Sequence, residues 1–328
     1  MRAAILNTPA SIAFRPLEIR DIPMPQPALG QVLLRIRACG VCRTDLHIVE
    51  GELKPLREHV IPGHQIVGEI VGGAASDGGF RFGVTWMAGI DGDCEYCLRG
   101  EENLCDSPSF TGYTVDGGYA EYAVAREDFT IPLPAGLKDL EIAPLLCAGV
   151  IGFRSLRVAG VQPGERVGLF GFGASAHLTL PVLRAWGCHV SVATRGATHR
   201  KLAESLGADW VGSEHNRPPG QLDRAITFAP SGDVVVAALA SLRKGGVVAI
   251  NAIHLDRIPE FDYDSLLWGE RQIRSVANVT RADARDFLQL SSEIGLRPKV
   301  TVFALDQANE ALQALKNDAI DGAAVLAP

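Results

Sequence analysis

The chain has 328 residues, enough for two domains, and its 47% hydrophobic and 21% charged content is ordinary for a globular protein. A net charge of −7 offers no basic field to nucleic acid or an anionic membrane, and no apolar run reaches the roughly 18–20 residues that span a bilayer. The opening MRAAILNTPASIAF has one positive charge and a Pro where an export signal carries a longer apolar core, so the expected setting is the cytoplasm.

The first 135 residues or so hold β-branched runs broken by Gly and Pro: RAAIL, QVLLRIRAC, QIVGEIVGG and YAEYAVA, which predict an irregular β-rich domain. Thr44 and Asp45 are suited to cap a short helix running from Leu46 to Glu50, with Cys42 on the turn before it and His47 one turn in. From about Val161 strands and helices alternate: RVGLFGF, then a helix in ASAHLTLPVLRAWG, CHVSVA, a helix in ATHRKLAESLG, DWV, DRAITFA, a helix over 231–243, GGVVAINAI and IRSVA. That rhythm predicts a parallel sheet covered on both faces. A helix over 282–294, a strand at KVTVFAL, a helix over 306–316 and the strand AAVLAP close the chain, which has no internal repeat.

Seven cysteines, an odd number with CxxC clustering in a large acidic chain, argue against a disulfide framework and suit reduced thiolates that bind metal. Cys42, His64 and Cys147 make a soft N/S trio of the kind that holds a catalytic Zn²⁺ with three protein ligands and an open fourth position. Singly, each is more often a buried hydrophobe or a satisfied core His; together, beside a nucleotide fold, they read as one site. Asp45 supplies a carboxylate able to hold a ligating imidazole in its correct tautomer. A second cluster, Cys94, Cys97 and Cys105, has structural-zinc spacing, with Asp91 as the first choice of fourth ligand and Asp93 the weaker one. The alternatives are a metal-free loop or a DNA-binding module, the latter disfavoured by the acidic EYCLRGEENLCD.

Gly171-x-Gly173-x-x-Ala176 follows a predicted strand and opens a helix, as a dinucleotide-binding turn does: Gly171 permits the tight turn, and Gly173 lets the backbone approach a pyrophosphate at the helix N-terminus. The next strand ends in Thr194 and Arg195, with Arg200 and Lys201 beyond, where an NAD site has an acid for the ribose 2′-OH. NADP(H) is therefore expected over NAD(H), the bland alternative being a solvated basic loop.

These residues together resemble the zinc-containing alcohol dehydrogenases of the medium-chain dehydrogenase/reductase superfamily. GVCRTDLH is similar to the family's G-x-C-x-x-D stretch, PGH to its G-H-E, DGDCEYC with NLC to its structural-zinc lobe and GFGASA to its nucleotide turn. LLCAGVIGFRSLR and TGYTVDGGYAEYAVA are most similar to the bacterial branch akin to cinnamyl-alcohol and small primary-alcohol dehydrogenases. The resemblance implies an α/β protein: a GroES-like catalytic domain over 1–148 and 280–328, split by a Rossmann domain with a doubly wound parallel sheet over 149–279. It also implies homodimers or homotetramers and a small alcohol or aldehyde substrate, with neither nucleic acid nor membrane as partner. Carried over, Cys42, His64 and Cys147 match the catalytic ligands, Thr44 the hydroxyl on the substrate oxygen, and His47 the outer proton relay. Asp45 matches the carboxylate behind His64, Trp86 a substrate-pocket wall, and Arg281 a contact to cofactor phosphate.

Three departures stand out. Gln65 replaces the carboxylate beside the ligating His, which makes the metal a stronger Lewis acid and impairs any ligand exchange that the carboxylate assists. Asp91 replaces the first Cys of the structural lobe, which weakens zinc binding there. The stretch GGAASDGGFRFGVTW is short and lacks the charged turn usual before its strand. The leading expectation is zinc-dependent hydride transfer between NADP(H) and an alcohol, aldehyde or ketone. The alternatives are reduction of a conjugated C=C or C=N bond in a biosynthetic pathway, and a non-catalytic NADPH-binding sensor.

Overall fold

The computed structural model describes residues 1–73, 80–214, 216–320 and 322–328. Residues 74–79 of the stretch GGAASDGGFRFGVTW lie outside the described residues. The chain divides into two compact units: Met1–Val150 with Asn278–Pro328, and Ile151–Ala277.

The second unit is built on a six-stranded, all-parallel sheet. Its spatial order is Trp210–Gly212, His189–Ala193, Arg166–Phe170, Leu222–Thr227, Leu242–Ile250 and Gln272–Ser275. Counted in chain order within the unit, that is the 3-2-1-4-5-6 arrangement of a Rossmann sheet, with its switch point between Arg166–Phe170 and Leu222–Thr227. Val167, Leu169, Val190, Val192, Ala225, Ile226 and Val248 are all fully buried, as both-face coverage by helices requires. That coverage is why these strands read as unbroken apolar runs. One strand differs from expectation: GGVVAINAI begins earlier, at Leu242, and ends at Ile250. The glycine pair suggested a strand start, but Gly245 is left-handed (φ 74°) and takes up a register shift against Leu222–Arg224.

The first unit holds a seven-stranded sheet in the order Val300–Ala304, Ala323–Ala327, Gln31–Gly40, Gln65–Gly73, Arg81–Val84 and Ile131–Pro132, with Tyr122–Arg126 also paired to Gln31–Gly40. All its ladders are antiparallel except the one joining the two C-terminal strands. Val325 pairs with Gly40, which is why the two ends of the chain share a unit. Gly40 in turn pairs with Gln65. This register sets the turn bearing Cys42 beside the one bearing His64. Beneath lies a core of Leu34, Ile36, Val49, Ile66, Ala120 and Leu326.

The helix after the first long strand starts earlier than expected, spanning Arg43–Glu50 with Cys42, not Thr44 or Asp45, at its N-cap. Asp45 instead sits three residues in, and its carboxylate reaches back to Cys42 N at 2.8 Å, the reciprocal half of a capping box. Among the described residues no single helix is long and apolar enough to cross a membrane.

Candidate metal centres and nucleotide turn

Cys42, His64 and Cys147 converge in the first unit, with one ligand atom of each within 4.8 Å of the others. Three kinds of backbone position achieve this. Cys42 is the extended N-cap of Arg43–Glu50; His64 follows Gly63 at the entrance to Gln65–Gly73; Cys147 sits between the 3-10 turn Ala143–Leu146 and the helix Ala148–Ala159. Gly63 has φ 98°, and a Cβ there would lie 2.4 Å from Tyr119 Cδ1 and 2.8 Å from Cys39 Sγ, so only glycine fits before the histidine. The Cys42 and Cys147 sulfurs are 3.9 Å apart. Two thiolates on one tetrahedral zinc, each about 2.3 Å from the metal, would be separated by about 3.8 Å.

The imidazole of His64 is fully buried and oriented by Asp45, which accepts from its Nδ1 at 2.9 Å. Among the described residues its buried Nε2 has no hydrogen-bond partner. An unsatisfied buried polar atom costs about 1–3 kcal/mol, so a lone pair aimed at two thiols is the sign of a metal position. The donor set, the sulfur spacing and this orphaned nitrogen all fit zinc. The Cys147 thiol and the His64 imidazole hold Cys42 well below its usual range, against the effect of burial. Cys42 and burial in turn push Cys147 up. Burial alone would lower the His64 pKa, but the Asp45 carboxylate and the Cys42 sulfur raise it to about 10.

Asp45 is fully buried and accepts four hydrogen bonds. Oδ1 takes Gly63 N (3.2 Å) and His64 Nδ1; Oδ2 takes Cys42 N and the Tyr119 hydroxyl (3.2 Å). Tyr119, itself fully buried, was missed from the sequence; its only local signal is the glycine pair of GGYAEY that lets the strap run close to Pro62 and Gly63. Thr44 is 6% exposed with Oγ1 3.7 Å from Cys42 Sγ. His47 meets Glu52 through Nδ1. Gln65, 2% exposed, faces Gly40, where a Cβ would come 2.9 Å from the Gln65 amide carbon and nitrogen. Trp86 meets the His64 ring edge-on at 5.2 Å and stacks on Phe110 (4.8 Å) and Tyr113 (5.9 Å).

Asp91, Cys94, Cys97 and Cys105 form the second cluster, again with ligand atoms within 4.8 Å of one another. The segment lies between the paired strands Met87–Gly89 and Ser109–Phe110. The N–H of Cys94 donates to Asp91 Oδ1 at 3.1 Å and, with the thiols of Cys105, Cys94 and Cys97, holds that carboxyl well below the usual carboxylate range. Asp93 stands outside the cluster and donates its N–H to Asp91 instead.

Arg281, expected at a cofactor phosphate, is engaged by acidic side chains of its own unit. Its backbone N–H, Nε and Nη2 all bond the Glu102 carboxylate (2.6, 2.9 and 2.6 Å), and Nη1 reaches the Asp128 carbonyl (3.1 Å) and carboxylate (3.3 Å). The guanidinium also lies 4.4 Å over the Phe129 ring. With Asn278 bonding the Asn103 carbonyl at 3.0 Å, it fastens the metal lobe to the start of the helix Arg281–Glu293. Its partner Glu102 is only partly buried, and nothing in the local sequence signals the pairing.

In the second unit, Gly171 ends the strand Arg166–Phe170 with φ 86°, and a Cβ there would come 2.9 Å from Ala229 N. Gly173 caps the helix Ala174–Ala185, and a Cβ built on it meets nothing within 4 Å, so the space beside the helix N-terminus is open. Ala176 is fully buried against the sheet. This is the cradle a pyrophosphate requires. Thr194 is 3% exposed, its carbonyl accepts from Arg200 at 3.3 Å, and Arg195 is exposed.

A Rossmann sheet inserted in a β-rich unit that carries a Cys/His/Cys cluster defines a class. The chain belongs to the alcohol dehydrogenase family, and it is an oxidoreductase. Residues 28–135 match the alcohol dehydrogenase GroES-like domain. The chain is 47% identical to the "Probable alcohol dehydrogenase AdhA" of Mycobacterium tuberculosis, covering 99% of this chain and 97% of that one. It is 35% identical to an alcohol dehydrogenase of Geobacillus stearothermophilus, covering 95% and 96%. The solved cobalt- and zinc-bound thermostable alcohol dehydrogenase of Pyrobaculum aerophilum shares the fold, with TM-score 0.88 at 24% identity, covering 100% and 99%.

Proposed function

We propose that this chain is a zinc-dependent dehydrogenase that interconverts alcohols with aldehydes or ketones and prefers NADP(H). The observation that carries the reading is the buried Nε2 of His64, unpaired among the described residues and close to two sulfurs 3.9 Å apart. The preference for NADP(H) is supported by Thr194 and Arg195 standing where an NAD site has an acid. Gly171, Gly173 and Ala176 would hold the pyrophosphate. We further assign the enzyme to the cytoplasm, as a homodimer or homotetramer acting on small molecules.

Cys42, His64 and Cys147 would hold the catalytic zinc, and Asp91, Cys94, Cys97 and Cys105 a structural one. When bound, the catalytic zinc supplies Lewis acidity to a substrate oxygen, and the nicotinamide gives or takes the hydride. The chain's own residues do the rest. Asp45 fixes His64 in the tautomer that leaves Nε2 unprotonated. Thr44 and His47, three apart on Arg43–Glu50, share a helix face, so a proton held at the Thr44 hydroxyl has a route outward to the His47 imidazole. Trp86 walls the pocket with an apolar face.

Two measurements test this. Metal analysis should find about two zinc per chain; none would end the zinc mechanism, and one would leave the Asp91 lobe empty. NADPH oxidation against a panel of aldehydes, ketones and enals should yield alcohols. A saturated aldehyde formed from an enal with no alcohol would favour conjugated-bond reduction instead.

A further inference from the structure

The helix Arg43–Glu50 ends at Gly51, whose left-handed backbone (φ 78°) turns the chain back on itself. Glu52 N and Leu53 N then both donate to the His47 carbonyl, at 2.9 and 3.2 Å. This turn lays the Glu52 carboxylate on His47 Nδ1. The pair is graded in exposure: the His47 side chain is 22% exposed, that of Glu52 53%. A carboxylate can only accept, so His47 Nδ1 is the donor, and a neutral imidazole protonated there carries its lone pair on Nε2.

We propose that Glu52 is a positioning residue for proton transfer: it fixes His47 in the tautomer whose Nε2 accepts the substrate's proton, and it stabilises the imidazolium that results. The proposal rests on His47 being the outer proton carrier. During alcohol oxidation the substrate O–H bond breaks as its proton passes to the Thr44 oxygen, and the O–H proton of Thr44 passes on to form the Nε2–H bond of His47, while the C–H electron pair leaves as the hydride of the overall reaction. His47 is then a cation beside the Glu52 anion. After product departs, the Nε2 proton passes to water and the bond to Glu52 restores the starting tautomer. In the reducing direction the same steps run backwards.

The test compares the zinc-loaded enzyme with Glu52→Gln and Glu52→Asp, each also in a His47→Gln background. One readout is turnover of the alcohol corresponding to the best carbonyl of the panel; the other is the ¹⁵N shifts of the His47 ring. Glu52→Gln should lower kcat about tenfold with little change in KM for the nicotinamide, and should move the ring toward the Nε2-protonated form. Glu52→Asp should recover much of the loss, and in the His47→Gln background Glu52→Gln should have no further effect. An equal loss in that background, or ring shifts that do not move, overturns the proposal. If His47→Gln leaves kcat unchanged, the relay reading falls and this proposal with it. If His47→Gln impairs turnover while Glu52→Gln does not, the relay stands and only the role of Glu52 falls.

Discussion

Replacing Asp45 with Asn keeps the shape of the side chain and removes its charge, and the four donors around it determine the cost. With the amide oxygen in the Oδ1 position, Gly63 N and His64 Nδ1 keep their acceptor, and the amide NH₂ faces Cys42 N and the Tyr119 hydroxyl. Tyr119 can turn its O–H and accept; the Cys42 N–H cannot. With the amide flipped, the NH₂ faces Gly63 N, which is stranded, and His64 Nδ1, which accepts only by moving its proton to Nε2 and so loses its metal-binding lone pair. Either way one buried backbone N–H is orphaned, at about 1–3 kcal/mol, and one charge-assisted bond to His64 is weakened or inverted. We expect Asp45→Asn to lower unfolding stability by about 2–3 kcal/mol and zinc affinity by about 10–100-fold. Urea unfolding of the metal-free chain and a chelator competition on the loaded one measure the two effects. Tyr119→Phe, which removes a single neutral donor, should cost about 1 kcal/mol and much less than tenfold in zinc affinity. Zinc affinity within about twofold of wild type in Asp45→Asn would refute the tautomer argument.

Arg195→Ala should raise KM for NADPH far more than for NADH; equal effects would refute the cofactor preference. Glu102→Gln should speed zinc loss from the Asp91 lobe, followed with a colorimetric chelator, because the Arg281 clamp loses its anion; an unchanged release rate would show that the lobe holds its metal without the clamp. Cys42→Ala should abolish turnover while NADPH binding, read by nucleotide fluorescence, persists. Asp223 accepts from Arg166 N and pairs with Arg243; burial opposes ionisation, but these partners prevail and hold the carboxyl below its usual range. Its contribution is therefore present above the ordinary carboxylate range and lost as pH falls through the lowered value. Asp223→Asn should destabilise the Rossmann unit at neutral pH and flatten that acid limb in a pH series of thermal melts.

The ligand trio was legible because its chemistry is carried by residue type: two lone thiols and a Gly-His step are hard to place elsewhere in an acidic chain beside a nucleotide turn. Asp45 was legible for the same reason. The parallel sheet was readable because burial on both faces writes continuous apolar runs. Other features depend on where distant segments lie. Tyr119 acts on Asp45 only because the strap before Tyr122–Arg126 runs under Pro62 and Gly63. Arg281 looked like a cation awaiting phosphate, and its partner Glu102 lies in a lobe far back in the sequence. The start of Arg43–Glu50 was misplaced by two competing caps: Thr44 and Asp45 have the right side chains, but the extended backbone is at Cys42.

The strand pairing between Gly40 and Val325 has a consequence in time. The sheet segment that leads into Cys42 pairs early with Gln65–Gly73, but it gains its second neighbour only when the C-terminal strand Ala323–Ala327 arrives, after the whole of Ile151–Ala277 has been made. Chains emerge N-terminus first, and pairings this distant in sequence are slow to close, whereas the Rossmann unit is contiguous and can form as soon as it is synthesised. The Rossmann unit can therefore close on local contacts alone, whereas the sheet beside Cys42 is complete only once both ends of the chain are present.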